Sequence, residues 1–344
     1  MRVRLPLVAV PALAAAGSTG TETPYFDTGF LPMRPIRKTI YNGSMRRLVA
    51  ALLVGLGLFV GAAAFASPAE AAQLIARNAS DVRLAVNGKG EALITYRSGG
   101  EQRRLLAWGA VNAVAPASGR EQVAFRIDYA GGYGKYHRAV WKSFPNSCGP
   151  YTGPPLPWLV TACTAPDGSH WALQSFQRML RNYGLPSTGL RSAWELHLAH
   201  WTGDLPVLDV KLNWAYRRVH QLYGRFTYQG QPVYGFRSDR YGAPLDSFGR
   251  LLFLDTYSSG YGSGWHRDNS FLFHRPTGTF CYGLYSRRAG HSPMGERYRA
   301  TANGPGVTPI VAWVSDSPGA YNRELDQIAN EEIRQLGDPK CPAN

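Results

Sequence analysis

Side chains that could serve as an acid and a base occupy both halves of the stretch 192–216. Glu195 and His197 stand in the first half, and Asp209 and Lys211 stand in the second half. A carboxylate beside an imidazole can exchange protons with a substrate. Glu195, His197 and Asp209 are therefore the candidate catalytic residues of a polymer-directed hydrolase that would use a Glu/His or a Glu/Asp pair. The same residues are also compatible with an ordinary solvated face that carries cross-strand charge pairs.

The residues of the two halves come within reach of one another if the halves pair as strands. Apolar and polar residues alternate in both halves, which is typical of half-buried strands. Gly203, Asp204 and Pro206 supply turn chemistry between them. The pattern predicts a β-hairpin with its apolar face inward, its polar face outward, and three apolar cross-strand pairs: Trp194 with Trp214, Leu196 with Leu212, and Leu198 with Val210.

A second candidate surface is the segment 257–269, which is rich in tyrosine, serine and glycine and contains one tryptophan. Its glycines match no phosphate-binding motif, but its composition is typical of recognition loops. An aromatic ring beside arginine suits sugar rings or anionic groups. The predicted ligand-binding residues, including two outside the segment, are Tyr261, Trp265, His266, Arg267, His274 and Lys211. The alternative is a mobile loop whose aromatic side chains fold onto the core.

The four cysteines predict disulfide bonds, because the chain also carries an export signal. They are Cys148, Cys163, Cys281 and Cys341, and they allow three pairings. We favour Cys148–Cys163, which closes a loop rich in proline and glycine, and Cys281–Cys341, which pins the C-terminal segment. The cysteines show no C-x-x-C spacing and the histidines no HExxH pattern, so the sequence predicts neither a metal site nor a cofactor.

The export signal lies in the segment 45–72. A basic start at 45–47 precedes the apolar run 48–66, and small-x-small sites follow at 64–66 and 69–71. This arrangement is typical of a secretory signal peptide, and the alternative is a membrane anchor. We favour cleavage, which predicts a protein that is secreted or associated with the cell wall and has no stable membrane span.

The rest of the chain is predicted to contain an N-terminal extension and one folded domain. Residues 1–44 are predicted to be a non-native or disordered extension, and residues 73–344 are predicted to form one β-rich secreted domain. This domain could comprise two subdomains, 81–140 and 166–344, on either side of an irregular segment.

The charge of the chain narrows the classes of partner. Lysine and arginine outnumber aspartate and glutamate by 37 to 23, which leaves a formal net charge of +14. Such a protein attracts polyanions, but export and the lack of a recognisable nucleic-acid module argue against nucleic acid. The sequence therefore predicts a non-catalytic protein of the cell envelope that binds carbohydrate or an anionic wall polymer, with the hydrolase as the alternative.

The predicted fold class is mainly β, with some helix (α+β). Short alternating segments separated by turn residues predict a mostly antiparallel sheet or sandwich. Two helices are predicted, one in mid-chain at about 168–183 and one at the C-terminus at about 319–336. Both show apolar residues at three- and four-residue spacing.

Overall fold

The computed structural model describes residues 72–114, 122–179, 192–217, 219–234, 251–272, 277–285, 294–338 and 341. The predicted leader and the extension before it lie outside these residues, apart from Ala72. The fold is mainly β, as predicted. The strands of the first half are β1 Gln73–Arg77, β2 Ser80–Val86, β3 Glu91–Ser98, β4 Glu101–Trp108, β5 Arg126–Asp128, β6 Gly149–Pro150, β7 Leu159–Thr164, β8 His170–Met179 and β9 Ser192–Trp201.

The second half adds further strands and a longer helix. These strands are β10 Val207–Ala215, β11 Val219–Tyr228, β12 Gln231–Pro232, β13 Leu251–Ser259, β14 Gly262–Leu272, β15 Thr279–Tyr285, β16 Arg297–Ala302 and β17 Val311–Asp316. The helices in the described residues are α1 Tyr133–Tyr136, α2 Arg323–Gln335 and the 3₁₀ turn Val140–Lys142. The strands pair antiparallel in four sheets.

The four sheets are named here by strand order. Sheet A is β1-β9-β8-β7-β6, sheet B is β2-β3-β4-β5, and sheet C is β14-β13-β16-β17. Sheet D is β10-β11-β12, with β15 paired to β11. Sheets A and B share one core, in which Ile94 and Leu105 pack with Trp171 and Leu198. Sheets C and D share a second core, which includes Phe226 and Leu254.

The segment between β16 and β17 ties sheet A to the second pair of sheets. The amide of Gln174 donates to the Ile310 carbonyl and accepts from the Ile310 N–H, both at 2.9 Å. The His200 N–H donates to the Val307 carbonyl at 2.9 Å. Since Gln174 is only 1% exposed, these bonds satisfy a buried polar group that would otherwise be costly.

The prediction of a helix over 168–183 is wrong. Residues His170–Met179 form strand β8, which pairs with β7 and β9. Asp167 does not cap a helix: its Oδ1 accepts from the Ser169 N–H at 2.9 Å and from the Ser169 Oγ at 2.6 Å. Gly168, at φ 82°, completes the turn from β7 into β8. Both faces of β8 are covered, so the alternation that would have indicated a strand is missing.

The predicted hairpin between 192–201 and 207–215 is also wrong in its pairing. Both segments are strands, but β9 pairs with β8 and β1, and β10 pairs with β11. Trp194 therefore lies opposite Gln177, and Trp214 lies opposite His220. Since both edges of β9 are occupied by other strands, no edge remains for β10, which crosses to another sheet.

The C-terminal helix and both disulfides are confirmed. Helix α2 begins after Asn322, whose side-chain oxygen accepts from the Glu324 and Leu325 N–H groups at 2.9 and 3.1 Å. The predicted start at 319 was early, because residues 319–322 are not helical. The disulfides are Cys148–Cys163 and Cys281–Cys341, the pairings that the sequence favoured. The division into subdomains 81–140 and 166–344 stays a prediction.

Candidate ligand-binding pocket

Glu195 and His197 lie together, but inside the protein. Each is 2% exposed, and Glu195 Oε2 is 3.3 Å from His197 Nε2. The guanidinium of Arg77 donates to Glu195 Oε1 at 3.1 Å. His197 Nδ1 donates to the Ala72 carbonyl at 2.6 Å. The predicted outward-facing polar surface is therefore wrong: strand β9 has neighbours on both edges and is covered on both faces, so its odd-numbered side chains point inward.

Asp209 and Lys211 lie in a different sheet from Glu195 and His197. Both are exposed on β10, where Asp209 is opposite Arg225. Lys211 Nζ lies 2.9 Å from the Glu332 carboxylate on helix α2. The structure thus brings Glu195 and His197 together but places Asp209 and Lys211 elsewhere, because the contact between the two halves depended on a hairpin that does not form.

The predicted recognition loop 257–269 is mostly a strand hairpin, formed by β13 and β14. Tyr261 lies at its turn, and His266 Nε2 donates to the Ser263 carbonyl at 2.9 Å. Arg267 is 3% exposed, and its Nε lies 2.5 Å from Asp255 Oδ1. Tyr and Trp are strand formers as well as loop residues, so composition alone indicated the wrong backbone.

Trp265 is part of a compact aromatic and arginine cluster. Its ring centroid lies 4.6 Å from the Arg299 guanidinium carbon and 6.0 Å from that of Arg297. Its ring packs edge-on against Tyr257 at 5.3 Å. The ring is partly buried and contributes to the packing of sheet C, and a role of Trp265 in ligand binding stays a prediction. His274 lies outside the described residues.

A pocket of about 350 Å³ opens on sheet B, away from all of these residues. Aromatic and arginine side chains dominate its wall, which is formed by Tyr96, Gln102, Arg103, Arg104, Tyr129, Ala130 and Trp141. Its volume lies at the lower end of the range for small-ligand sites, roughly 300–1,000 Å³. A pocket of this size suits a small ligand or a short part of a polymer.

The pocket exists because strand β5 is short. Strand β5 pairs only with the part of β4 from Leu106 to Trp108. On this side of β4, residues Glu101–Leu105 therefore have no strand partner among the described residues. After β5 the chain turns through Gly131 and Gly132 and carries Trp141 to this edge. A Cβ on Gly131 would lie 3.0 Å from Arg104 Cβ and 3.3 Å from Trp141 Cε3. Glycine is thus needed for the close approach of the pocket walls.

A buried ion cluster holds this turning segment against the sheet. Glu91, 5% exposed, accepts from Lys135 Nζ at 2.6 Å, from Asn87 Nδ2 at 2.7 Å and from the Tyr136 hydroxyl. Burial opposes ionisation of Glu91, but the hydrogen bonds from Lys135, Tyr136 and Asn87 outweigh it and lower its pKa. Lys135 Nζ also lies 4.1 Å from the centroid of the Trp108 ring. These contacts set the wall of the pocket before any ligand arrives.

The charge in the pocket is positive, and part of it is exposed. Arg103 Nη2 lies 3.3 Å from Glu101 Oε2, and the Arg103 side chain is 57% exposed. Arg104 Nη2 donates to Gln102 Oε1 at 2.8 Å, and its guanidinium carbon lies 5.8 Å from the centroid of the Trp141 ring. Burial raises the pKa of Tyr96, although the neighbouring Arg103 opposes that shift. The aromatic rings and the two guanidiniums can contact an apolar face and an anionic group of one ligand.

None of these pocket residues was predicted from the sequence. They lie in three stretches around residues 96–104, 129–130 and 141, and each stretch alone has the appearance of an ordinary strand or turn. The available signals were the Arg103-Arg104 pair and the glycines at 131 and 132, which follow Tyr129 closely. Whether these residues line a pocket depends on where β5 ends, and local sequence patterns do not predict that position.

The described residues show neither a metal-binding group nor a membrane-spanning helix. No cluster of three or more histidine, cysteine, aspartate or glutamate side chains among them could hold a metal ion. No helix in the described part of the chain is long and apolar enough to cross a membrane. In comparisons with models of protein families, with curated proteins and with solved structures, no match to this chain is found.

Proposed function

We propose that this protein binds, without catalysis, a carbohydrate that carries an anionic group, such as an acidic polysaccharide of the cell envelope. The observation that carries the proposal is the pocket on sheet B, where Tyr129 and Trp141 stand beside Arg103 and Arg104 around about 350 Å³ of space. Aromatic rings pack against the apolar faces of sugar rings. Arginine pairs with carboxylate, sulfate or phosphate through charge-assisted hydrogen bonds.

The rigidity of the pocket supports this function. Lys135 and Tyr136 are bonded to the buried Glu91, and Gly131 lets the segment approach Arg104 closely. A wall that is ordered before binding reduces the entropy that binding must offset. Exposed aromatic residues such as Tyr129, at 60% exposure, remain available to a ligand.

The net charge and the disulfides are compatible with an anionic partner outside the cell. Residues 73–344 alone keep a formal net charge of +10, which would draw a polyanion toward the protein and make its association depend on salt. The two disulfides are compatible with an extracellular protein. The hydrolase alternative has no supporting geometry, because Glu195 and His197 are buried and Asp209 lies in another sheet.

The test is a titration of the full chain with three probes: oligogalacturonate, a sulfated oligosaccharide and a neutral cello-oligosaccharide. We expect the first or second probe to bind, with affinity that falls as salt rises. The Tyr129→Ala variant should weaken binding by at least about fivefold, the effect of losing one important aromatic contact. Isothermal titration calorimetry measures both quantities.

Tyr133→Ala is the matched control. Tyr133 lies on the same segment and is 53% exposed, compared with 60% for Tyr129, but it does not line the pocket. We expect this variant to bind as the unaltered chain does. Failure of all three probes to bind, or equal effects of the two substitutions, would overturn the proposed function.

A further inference from the structure

The two pocket arginines lie on opposite faces of strand β4. Arg103 is opposite Tyr96 in the register with β3, and Arg104 is opposite Thr95. Successive side chains of a strand point to opposite faces, so the side chains of Arg103 and Arg104 extend from opposite faces of the sheet. Because β5 ends at Asp128, this part of β4 is a sheet edge that a ligand can approach from the side.

Each of these arginines is already held by the side chain two residues before it. Glu101 holds Arg103 with Nη2–Oε2 at 3.3 Å, and Gln102 holds Arg104 with Nη2–Oε1 at 2.8 Å. Both contacts join side chains two residues apart on β4, but the contact to Glu101 is longer and the two acceptors differ in charge. Glu101 is a carboxylate that an anionic ligand must replace, whereas Gln102 is a neutral amide.

We propose that Glu101 is a specificity-determining residue of the pocket, an internal anion that competes with the ligand for Arg103. This inference rests on the proposed function. An exposed ion pair is weak, and the Arg103 and Glu101 side chains are 57% and 74% exposed, so a ligand carboxylate can displace Glu101. The competition lowers the affinity for every ligand that must pair with Arg103 and leaves that for neutral ligands unchanged, so Glu101 reduces the preference of the pocket for anionic over neutral ligands.

Glu101→Gln tests this role, because it removes the charge and keeps the size of the side chain. We expect it to raise the affinity for the bound anionic probe, oligogalacturonate or the sulfated oligosaccharide, by about two- to fivefold, the range that corresponds to an exposed ion pair. Affinity for the neutral cello-oligosaccharide should not change. In the background of Arg103→Gln, the same substitution should bring much less gain, because the two residues act as a pair.

Asp81→Asn is the matched control. Asp81 lies in the same sheet and pairs with Arg97 at 4.0 Å, and both of these side chains are exposed, but neither lines the pocket. This substitution removes one negative charge from the same sheet, so it reports the effect of net charge alone. An equal gain from Asp81→Asn and Glu101→Gln would overturn the inference, and so would no gain from Glu101→Gln.

The two proposals fail in different ways. If no probe binds the unaltered chain, or if Tyr129→Ala has no specific effect, the proposed function is wrong and the role of Glu101 is wrong with it. If an anionic probe binds and depends on Tyr129 while Glu101→Gln changes nothing, only the role of Glu101 is wrong. A gain that persists fully in the Arg103→Gln background would also contradict the competition.

Discussion

Asp255 and Arg299 form a buried ion pair across strands β13 and β16. Arg299 Nη2 and Nε donate to Asp255 Oδ2 at 2.7 and 3.1 Å, and the Asp255 side chain is 1% exposed. Arg267 donates to the other oxygen at 2.5 Å. The Arg299 guanidinium also lies near the Trp158 ring, with its carbon 5.7 Å from the ring centroid. One carboxylate thus joins three strands of sheet C and a neighbouring connection.

Asp255→Asn should therefore destabilise the protein strongly. The substitution leaves two guanidiniums without their carboxylate, and breaking a buried ion pair costs about 3–5 kcal/mol. Asp316→Asn is the control, because Asp316 pairs with Arg297 on the same strand as Arg299 but is 83% exposed. We expect that control to cost less than about 1 kcal/mol. Urea unfolding measures the loss of unfolding free energy in both variants. Similar losses would contradict the structural role of Asp255.

The stability of the protein should fall in mild acid because of His200. Its Nε2 lies 2.9 Å from Ser169 Oγ, and its Nδ1 donates to the Ala110 carbonyl. Burial lowers the pKa of His200 from 6.5 to about 4. The unfolded chain therefore binds more protons between these values, so this contribution is complete above pH 6.5 and is lost as the pH falls toward 4. The loss is roughly 3 kcal/mol for His200 alone.

Urea unfolding at several values of pH checks this linkage. Burial also lowers the pKa of His220 to about 4, so the unaltered chain combines both effects. His200→Gln should be less stable at pH 7 but should lose less stability between pH 6.5 and 4.5 than the unaltered chain. If both proteins show the same dependence on pH, His200 is not the linked group.

Gly131→Ala should change the shape of the pocket in addition to straining the backbone. Gly131 has φ +64°, and an added Cβ would lie 3.0 Å from Arg104 Cβ, so the pocket walls must move apart. Gly99 has nearly the same φ of +62° with no atom within 4 Å of an added Cβ. Gly99→Ala thus carries the backbone strain alone. We expect Gly131→Ala to cost more stability and to weaken oligosaccharide binding, and Gly99→Ala to leave binding unchanged.

Calorimetry with the probe that binds, together with urea unfolding, separates the two contributions. Equal stability losses with unchanged binding in both variants would show that the close approach of Gly131 to Arg104 has no role in shaping the pocket.

Local patterns predicted much of the framework. Alternation and turn residues correctly indicated a mainly β protein, and the C-terminal helix was also predicted correctly. The face assigned to that helix was wrong, because Ala329 and Ile333 are buried whereas Leu325 and Ile328 are exposed. Local patterns failed at β8, because both of its faces are covered, so apolar and polar residues do not alternate along it. The Asp167-Gly168 pair was a hairpin signal that the helical spacing of Ala172, Phe176 and Met179 obscured.

The sequence by itself determined that extended segments dominate and that the cysteines pair, because both follow from residue type and short-range spacing. Only the tertiary structure decided which strands are neighbours. It moved Glu195 and His197 into the interior and brought Arg103, Arg104, Tyr129 and Trp141 to one sheet edge. The reason is that strand pairing depends on which edges other strands already occupy, a long-range property that local spacing does not contain.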